Sequence, residues 1–529
     1  MGTVRLRAQI APRNAFFIVL AISFVSLACW SFADPLIAAP DEQAHVIRAV
    51  ALDHGQLGTP ARNPGAPLNA PLSKVLDNVT VPASIAYSVL YPICWHFLAN
   101  VPATCSKPWP TSEAPEVTTT YVAHYPPLYY LVVGVASYLS QEPSGIYMMR
   151  LVSCLMSALM LAMCAYAISR WSRRSALYLG VYVALSPEVY FLSSSVNPSG
   201  FEITTAICLW TLVAIFALER HSDPPGGLVV ALGVVGSIFV LIRGLSPLWL
   251  ALAGLTVIVL VGPRSLLEQV RRRRDLQISA GGIFVATLLA STWILTQGTL
   301  NILPVGAGVP KSDSMAKVVN IVLGYVQVWL RECVGVLGWL DTELPNLVYQ
   351  SWYIIVIAAI IVAVMRGSWR ERAVVTGLCA LVVAIPVALV SRQAKTLGVV
   401  WQGRDTLPLA VGALIMATAV CANRRTPLSL PSWFPLDATR RRQISRISAP
   451  VVIVVVALAN MLSFYTNLRR YAVGLYGPKF FFLHGQGWSP PTGQMATLVV
   501  YCLITAIFAG VLIAWVWWTR RPGELSARA

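Results

Sequence analysis

NAFFIVLAISFVSLACWSFA, from Asn14 to Ala33, is followed directly by DPLIAAPDEQAHVIRAV, from Asp34 to Val50. The first stretch is apolar throughout and carries no charge. Its length is what a helix needs to cross a hydrocarbon core of about 30 Å. Arg5, Arg7 and Arg13 precede it. The run is too long for the apolar part of a typical signal peptide, so it reads as a retained first span. The second stretch sets Pro40, Asp41 and Glu42 ahead of apolar positions. Proline and acids favour a helix start, so residues 39–50 read as a short helix lying against the membrane surface.

Outward from this junction, comparable apolar runs recur to the end of the chain. They are expected to span at 14–34, 145–168, 175–195, 201–218, 227–242, 246–262, 277–299, 346–365, 373–390, 406–422, 448–466 and 494–518. Hydrophobic residues make up 57% of the 529 and charged residues 12%. Soluble chains carry about 25% charged residues, so lipid is the solvent here. The expected fold is an all-α polytopic membrane protein of about twelve spans. It forms a single domain, 1–529, whose first outer loop covers 35–144.

Net charge is +17, and its distribution excludes nucleic acid as the explanation. With the N-terminus inside, 24 of the 39 lysines and arginines fall in inner connections against 7 acids, while the outer side holds 15 of each. Arg271–Arg274 and Arg440–Arg442 are examples. That asymmetry is the positive-inside rule, with contact to anionic lipid headgroups as an additional role. Both termini are expected in the cytoplasm, in a plasma or inner membrane. Most of the ten cysteines fall within spans and read as small apolar packers. Cys94 and Cys105 share the first outer loop, where an oxidising compartment permits either a bridge or two thiols.

Two apolar segments read as something other than spans. Residues 128–140 are too short, and a crossing there would put Arg170, Arg173 and Arg174 outside; an interfacial or re-entrant helix fits better. Residues 315–340 carry Arg331 and Glu332 mid-segment, which is expensive in lipid, so they read as an outer juxtamembrane helix.

With this topology the polar motifs gather on the outer face. They are PDEQAH (40–45), HYPP (124–127), NPSGFE (197–202), RGLSP (243–247), WLDT (339–342), WQGRD (401–405) and LRRY (468–471). Acids, histidines and arginines collected at one face suggest a reaction centre there, whereas a transporter more naturally carries polar groups at the bilayer midplane.

PDEQAH, HYPPLYY, LGWLDTELP and WQGRDTLPL, taken in order, resemble the signatures of a large bacterial family of multi-spanning proteins, over residues 35 to about 485. That family resembles the GT-C glycosyltransferases, which include protein O-mannosyltransferases, cell-wall arabinosyltransferases and aminoarabinose transferases. The resemblance implies that an acid just past the first span is the catalytic base. It departs at Asp405, where an aromatic is expected after Gly403-Arg404.

The implied reaction moves a sugar from a polyprenyl-phosphate donor to a glycan or lipid acceptor of the envelope. It needs a base for the acceptor hydroxyl and cations for the departing phosphate. Asp41 is the candidate base, with Glu42 beside it; either acid could instead complement a helix N-terminus. His45, Arg48, His124, Tyr125, Asp341 and the pair Arg469 and Arg470 are candidate substrate contacts. Arg243 and Arg404 are candidates for the phosphate, although Arg243 could simply snorkel. No cofactor is required by this chemistry. A divalent metal on Asp41, Glu42 and His45 stays open, without an identifiable further ligand. The rival readings are a transporter or flippase of lipid-linked sugars and a non-catalytic subunit of an envelope-polymer assembly.

Overall fold

The protein is described from a computed structural model, which covers residues 11–60, 76–140, 143–219, 223–300, 309–421 and 438–518. The expectations placed on Arg5 and Arg7 lie outside the described residues, as do those on the side chains of Arg440–Arg442.

α1 (Pro12–Ala33) starts with proline in its first turn, where the missing N–H costs nothing. After an eight-residue strap comes α2 (Glu42–Asp53), the short helix expected at 39–50. The long first connection then builds a three-stranded antiparallel sheet from β1 (Thr59–Pro60), β2 (Asp77–Pro82) and β3 (Pro115–Thr120), with α3 (Ala83–Ala86) at its edge. Cys94 and Cys105 are joined by a disulfide within this connection. α4 (Leu128–Gly134), with the turn that extends it to Tyr138, is too short to cross, as expected.

The bundle continues with α5 (Pro143–Trp171), α6 (Ala176–Ala184), α7 (Pro187–Ser193), α8 (Pro198–Leu218), α9 (Gly226–Val240), α10 (Ser246–Val261), α11 (Pro263–Arg272) and α12 (Arg274–Gln297). α13 (Met315–Gly324) and α14 (Val326–Val334) form the expected non-spanning segment, broken into two helices at Tyr325. There Arg331 and Glu332 do not pair with each other. Arg331 reaches Glu343 at 2.9 Å, while Glu332 accepts the backbone N–H of Gly403 at 2.5 Å. A two-residue ribbon of β4 (Val336–Leu337) and β5 (Thr342–Glu343) leads on to α15 (Asn346–Arg366) and α16 (Trp369–Leu397), then α17 (Gly403–Cys421), α18 (Ala438–Val473), α19 (Phe481–His484) and α20 (Gln494–Trp518).

Among the described residues nine helices are long and apolar enough to cross a membrane. The number reaches eleven if α6 with α7, bent by 67°, and α10 with α11, bent by 101°, each count as one span. The remaining expected crossing, 227–242, is the 15-residue α9, about 22 Å long at 1.5 Å per residue and shorter than those helices. It returns the chain from the far end of α8 to the α9–α10 elbow, where Arg243 approaches Glu202 at the start of α8. The two small sheets depart from the all-α expectation, although the fold remains dominated by helix.

Burial separates the centre of the bundle from its rim. The apolar window of α8 is 89% buried and that of α17 78%, against 17% for α12 and 22% for α15. α8 and α17 therefore form the centre, and the sparsely buried helices turn their apolar faces outward to lipid. The central contact depends on size: a Cβ on Gly412 would stand 2.2 Å from the Trp210 ring, whose Nε1 donates to the carbonyl of Pro408 at 3.0 Å. At one end of this centre lie the start of α8, the α9–α10 elbow, the start of α17 and the strap after α1.

Candidate active site at the turn between the first two helices

The strap from Asp34 to Asp41 is held almost carbonyl by carbonyl. Arg150 of α5 donates through Nη1 to Ser31 and Asp34 at 3.0 and 3.1 Å, and through Nη2 to Pro35 at 2.8 Å. Trp339 Nε1 reaches the carbonyl of Ile37 at 3.1 Å, the Tyr471 hydroxyl that of Ala38 at 3.2 Å, and Asn197 Nδ2 that of Pro40 at 3.2 Å. Asn197 also caps α8 by accepting the Ser199 N–H at 2.9 Å. Four distant pieces of chain thus fix one short segment.

That constraint shows in the backbone. Asp41 sits in the left-handed region, φ 68° and ψ 0°, where non-glycine residues are uncommon and persist only when the surroundings impose the conformation. Its side chain does not cap α2. Instead Oδ1 accepts the Tyr121 hydroxyl at 2.5 Å, and Oδ2 pairs with Nη2 of Arg404. Arg404 Nη1 also reaches the carbonyl of Pro40 at 3.4 Å. The Asp41 side chain is 28% exposed, against 11% for Arg404, so the carboxylate is the open edge of the pair.

Arg404 reaches Asp41 because α17 starts close under α14. A Cβ on Gly403 would meet Glu332 Cβ and the Trp329 carbonyl at 2.5 Å, so only glycine permits the approach. The next residue carries the network on. Asp405 Oδ1 accepts Arg243 Nη1 at 3.0 Å, and Arg243 also approaches Glu202 at 3.4 Å. Glu202 in turn accepts the Ser246 hydroxyl at 2.7 Å. Two guanidiniums and three carboxylates alternate along this line. On the other side of Asp41, His45 Nδ1 shares a 2.8 Å hydrogen bond with the Tyr130 hydroxyl, and its ring lies 6.1 Å from that of Tyr125.

The electrostatics follow from this arrangement. Burial acts to raise the Asp41 carboxyl, but the Arg404 charge and the hydrogen bonds from Tyr121 and Arg404 outweigh it and hold the carboxyl below its usual range. Burial, aided by Arg404 and Arg243, drives His45 down to about 3, so its imidazole is neutral at physiological pH. Burial pushes the Tyr121 phenol well up, and the adjoining Asp41 charge adds to that, so Tyr121 remains a donor.

Of the sequence-selected residues the structure brings Asp41, His45, Tyr125, Arg243 and Arg404 together. Tyr125 is half-buried where the charges of Arg243, Asp41, Asp405 and Arg404 all reach it. Glu42 is removed from the group of candidate bases. Its Oε1 accepts Arg150 Nε at 2.7 Å and the Val196 N–H at 2.9 Å, its Oε2 accepts Arg150 Nη2 at 2.6 Å, and both side chains are 0% exposed. Asp341 and Arg470 pair with each other at 2.7 Å, and Arg470 also donates to the carbonyls of Val101, Trp95 and Leu98. That makes them a buried tie between α18 and the first connection. Arg469 folds back onto the Gly477 carbonyl. Arg48 is buried beneath α2 against the Leu57 carbonyl, and His124 faces Asp77 at 3.7 Å. None of these reaches the Asp41 pair. Among the described residues no three His, Cys, Asp or Glu side chains are placed to hold a metal ion, and Glu42 points away from Asp41 and His45. Tyr121 joined the site without a sequence signal of its own. Tyr130 and Glu202 close the HYPPLYY and NPSGFE motifs, and Asp405 marked the departure after Gly403-Arg404.

Fold and composition together define a multi-spanning helical membrane protein with a polar centre at one end. The chain belongs to the family described as Predicted membrane protein (DUF2142), whose model matches residues 24–413. Two solved structures are similar in layout, both crystal structures of ArnT from Cupriavidus metallidurans. The one bound to undecaprenyl phosphate is 15% identical with a TM-score of 0.43, and the apo form is 14% identical with a TM-score of 0.44. Each comparison covers 96% of this chain and 76% of the other. At that identity and score the likeness transfers neither chemistry nor residue roles. No curated protein sequence matches the chain.

Proposed function

We propose that this protein is an inverting membrane glycosyltransferase. It moves a sugar from a polyprenyl-phosphate donor to an envelope glycan or lipid acceptor on the extracytoplasmic side of the membrane, with both termini in the cytoplasm. The observation that carries the reading is the pair of Asp41 and Arg404. A partly exposed carboxylate, held in an unfavourable backbone conformation, shares its guanidinium with whatever anion enters beside it. The disulfide between Cys94 and Cys105 supports an oxidising side for this end of the bundle.

In the reaction the acceptor oxygen attacks the anomeric carbon while the bond from that carbon to the phosphate oxygen breaks. The electron pair leaves with the polyprenyl phosphate, and the hydroxyl proton passes to Asp41. Arg404 and Arg243 neutralise the phosphate as its charge grows, since planar guanidinium forks match its oxygens. A salt-bridged carboxylate is a weak base, so the resting pair is a latch. A donor phosphate competes for Arg404, and releasing it restores the basicity of Asp41 only when donor is present.

The test is transfer of labelled sugar from a panel of polyprenyl-phosphate donors to envelope extracts by the purified protein. Transfer by the wild type and its loss in Asp41→Asn are expected. Absence of transfer, with an Asp41→Asn defect seen only in translocation of the lipid-linked sugar, would make the protein a transporter.

A further inference from the structure

Far from Asp41, α11 has features that the proposed reaction does not use. α10 and α11 meet at Gly262, whose φ of 94° suits glycine, and the helix axis turns there by 101°. A helix turned through about a right angle from a crossing helix runs along the membrane plane. Leu266, Leu267 and Val270 fall on one side of α11. Leu266 and Val270 pack against the main core, while Leu267 stays exposed. At about 100° per residue Arg264 and Arg271 share the stripe beside Leu267.

The arginines here divide into one anchor and four unpaired groups. Arg273 pairs with Asp223, reaches Asp275 Oδ1 at 3.0 Å through Nε, and donates to the Pro224 carbonyl. It ties the α11–α12 joint to the α8–α9 connection and so fixes how α11 lies. Arg264, Arg271, Arg272 and Arg274 are exposed, and their guanidiniums have no ion pair among the described residues. Only Glu268 on α11 opposes them. Arg370, in the first turn of α16, stands beside Gly262, with its guanidinium 5.5 Å from the ring of the exposed Trp369.

We infer that α11, with Trp369 and Arg370, is a docking surface for anionic phospholipid headgroups of the leaflet in which it lies. Charge complementarity selects the occupant: four unpaired guanidiniums against one carboxylate, on a helix parallel to the membrane, meet phosphodiesters at headgroup depth. Leu267 sits where acyl chains begin, and an exposed tryptophan suits the same interface. The surface is remote from Asp41, so this inference is independent of the glycosyltransferase reading.

The full-length protein, reconstituted in nanodiscs of phosphatidylcholine with a minor fraction of headgroup-labelled phosphatidylglycerol, tests it by lipid affinity. Wild type is expected to prefer phosphatidylglycerol. The combined variant R264Q/R271Q/R272Q/R274Q is expected to lose roughly tenfold or more of that preference, since each basic residue near an anionic surface is worth roughly fivefold before screening. The matching Arg→Lys set keeps the charge and is expected to keep most of the preference, which separates charge loss from misfolding. Arg173→Gln, an exposed arginine on another connection, is expected to change nothing. The inference is overturned if the glutamine set retains the wild-type preference, or if Arg173→Gln lowers it as far.

Discussion

Asp41 and Glu42 are neighbours in sequence and opposites in structure. Glu42 points inward to Arg150, with both oxygens occupied and no exposure. Asp41 points to the open end, bound to Arg404 and Tyr121 and still 28% exposed. The left-handed backbone at Asp41 is where the two directions diverge. Adjacent carboxylates thus differ in setting: one ion pair fixes the strap, and the other leaves its carboxylate at the open edge. Arg470 and Asp341 repeat the first kind of pair, and Arg243 with Asp405 the second.

The largest expected effect tests the buried member. Glu42→Gln strands Arg150 without its counter-charge, and Arg150→Met strands Glu42. Breaking a buried pair in this way costs about 3–5 kcal/mol. Thermal unfolding in detergent should show both variants strongly destabilised. If Glu42→Gln is as stable as wild type and loses only transfer, Glu42 belongs with Asp41 after all and the contrast collapses.

Asp41→Asn is expected to do the reverse. Its carboxylate lies at the open edge, so stability should shift by about 1 kcal/mol or less, within the range of exposed pairs. Transfer should fall by roughly 10²-fold or more, the scale of a lost general base. Asp41→Glu should recover part of the rate if the longer side chain still reaches the acceptor. Full transfer by Asp41→Asn in a well-folded preparation would remove Asp41 as the base.

What was legible in the sequence was what a one-dimensional pattern can carry. Hydropathy located the crossing helices, and the charge of Arg331 and Glu332 kept α13 and α14 out of that set. Proline and acids after the first span marked α2. The gathering of polar motifs at one end also followed, because every crossing reverses direction. The partners were not legible. Arg150 lies 108 residues from Glu42, inside a helix that reads as an ordinary span, and Arg470 lies 129 residues from Asp341. Nothing in local spacing says which of several arginines will be buried as a tie and which left near solvent. β2 and β3 escaped for a related reason. Their pairing spans the disulfide-bearing segment, and short strands in a polar loop have no hydropathy signature of their own.

His45 offers a smaller effect with a definite sign. Its imidazole titrates at about 3 in the folded protein, against an ordinary value of 6.5. Between those values the unfolded chain binds a proton that the folded one does not, so stability falls as pH drops from 6.5 toward 3 and is flat above. The slope is at most about 1.4 kcal/mol per pH unit, or about 2 kcal/mol between pH 6.5 and pH 5. His45→Gln, which can still accept from Tyr130, should flatten that part of the curve. An unchanged acid limb in the variant would mean that His45 is solvated and takes its proton in the ordinary range.

The smallest effect is the most informative about the latch, and it is read in binding. If Arg404 divides itself between Asp41 and a donor phosphate, then removing the Asp41 charge frees the guanidinium. Asp41→Asn should therefore bind a short-chain polyprenyl phosphate more tightly, by about tenfold, or about 1.4 kcal/mol. Tighter binding alone is ambiguous, because an aspartate near a phosphate also repels it. The second arm of the cycle separates the two causes. In an Arg404→Ala background simple repulsion between Asp41 and the phosphate would persist, so Asp41→Asn would still tighten binding by the same factor. Competition for Arg404 would vanish with Arg404 itself, leaving Asp41→Asn with little effect. Arg404→Lys should fall between these limits, because it keeps the charge and loses the fork. Equal tightening in both backgrounds would dispose of the latch while leaving Asp41 free to act as an ordinary base. Tightening confined to the background that retains Arg404 would mean that donor binding and base activation are one event.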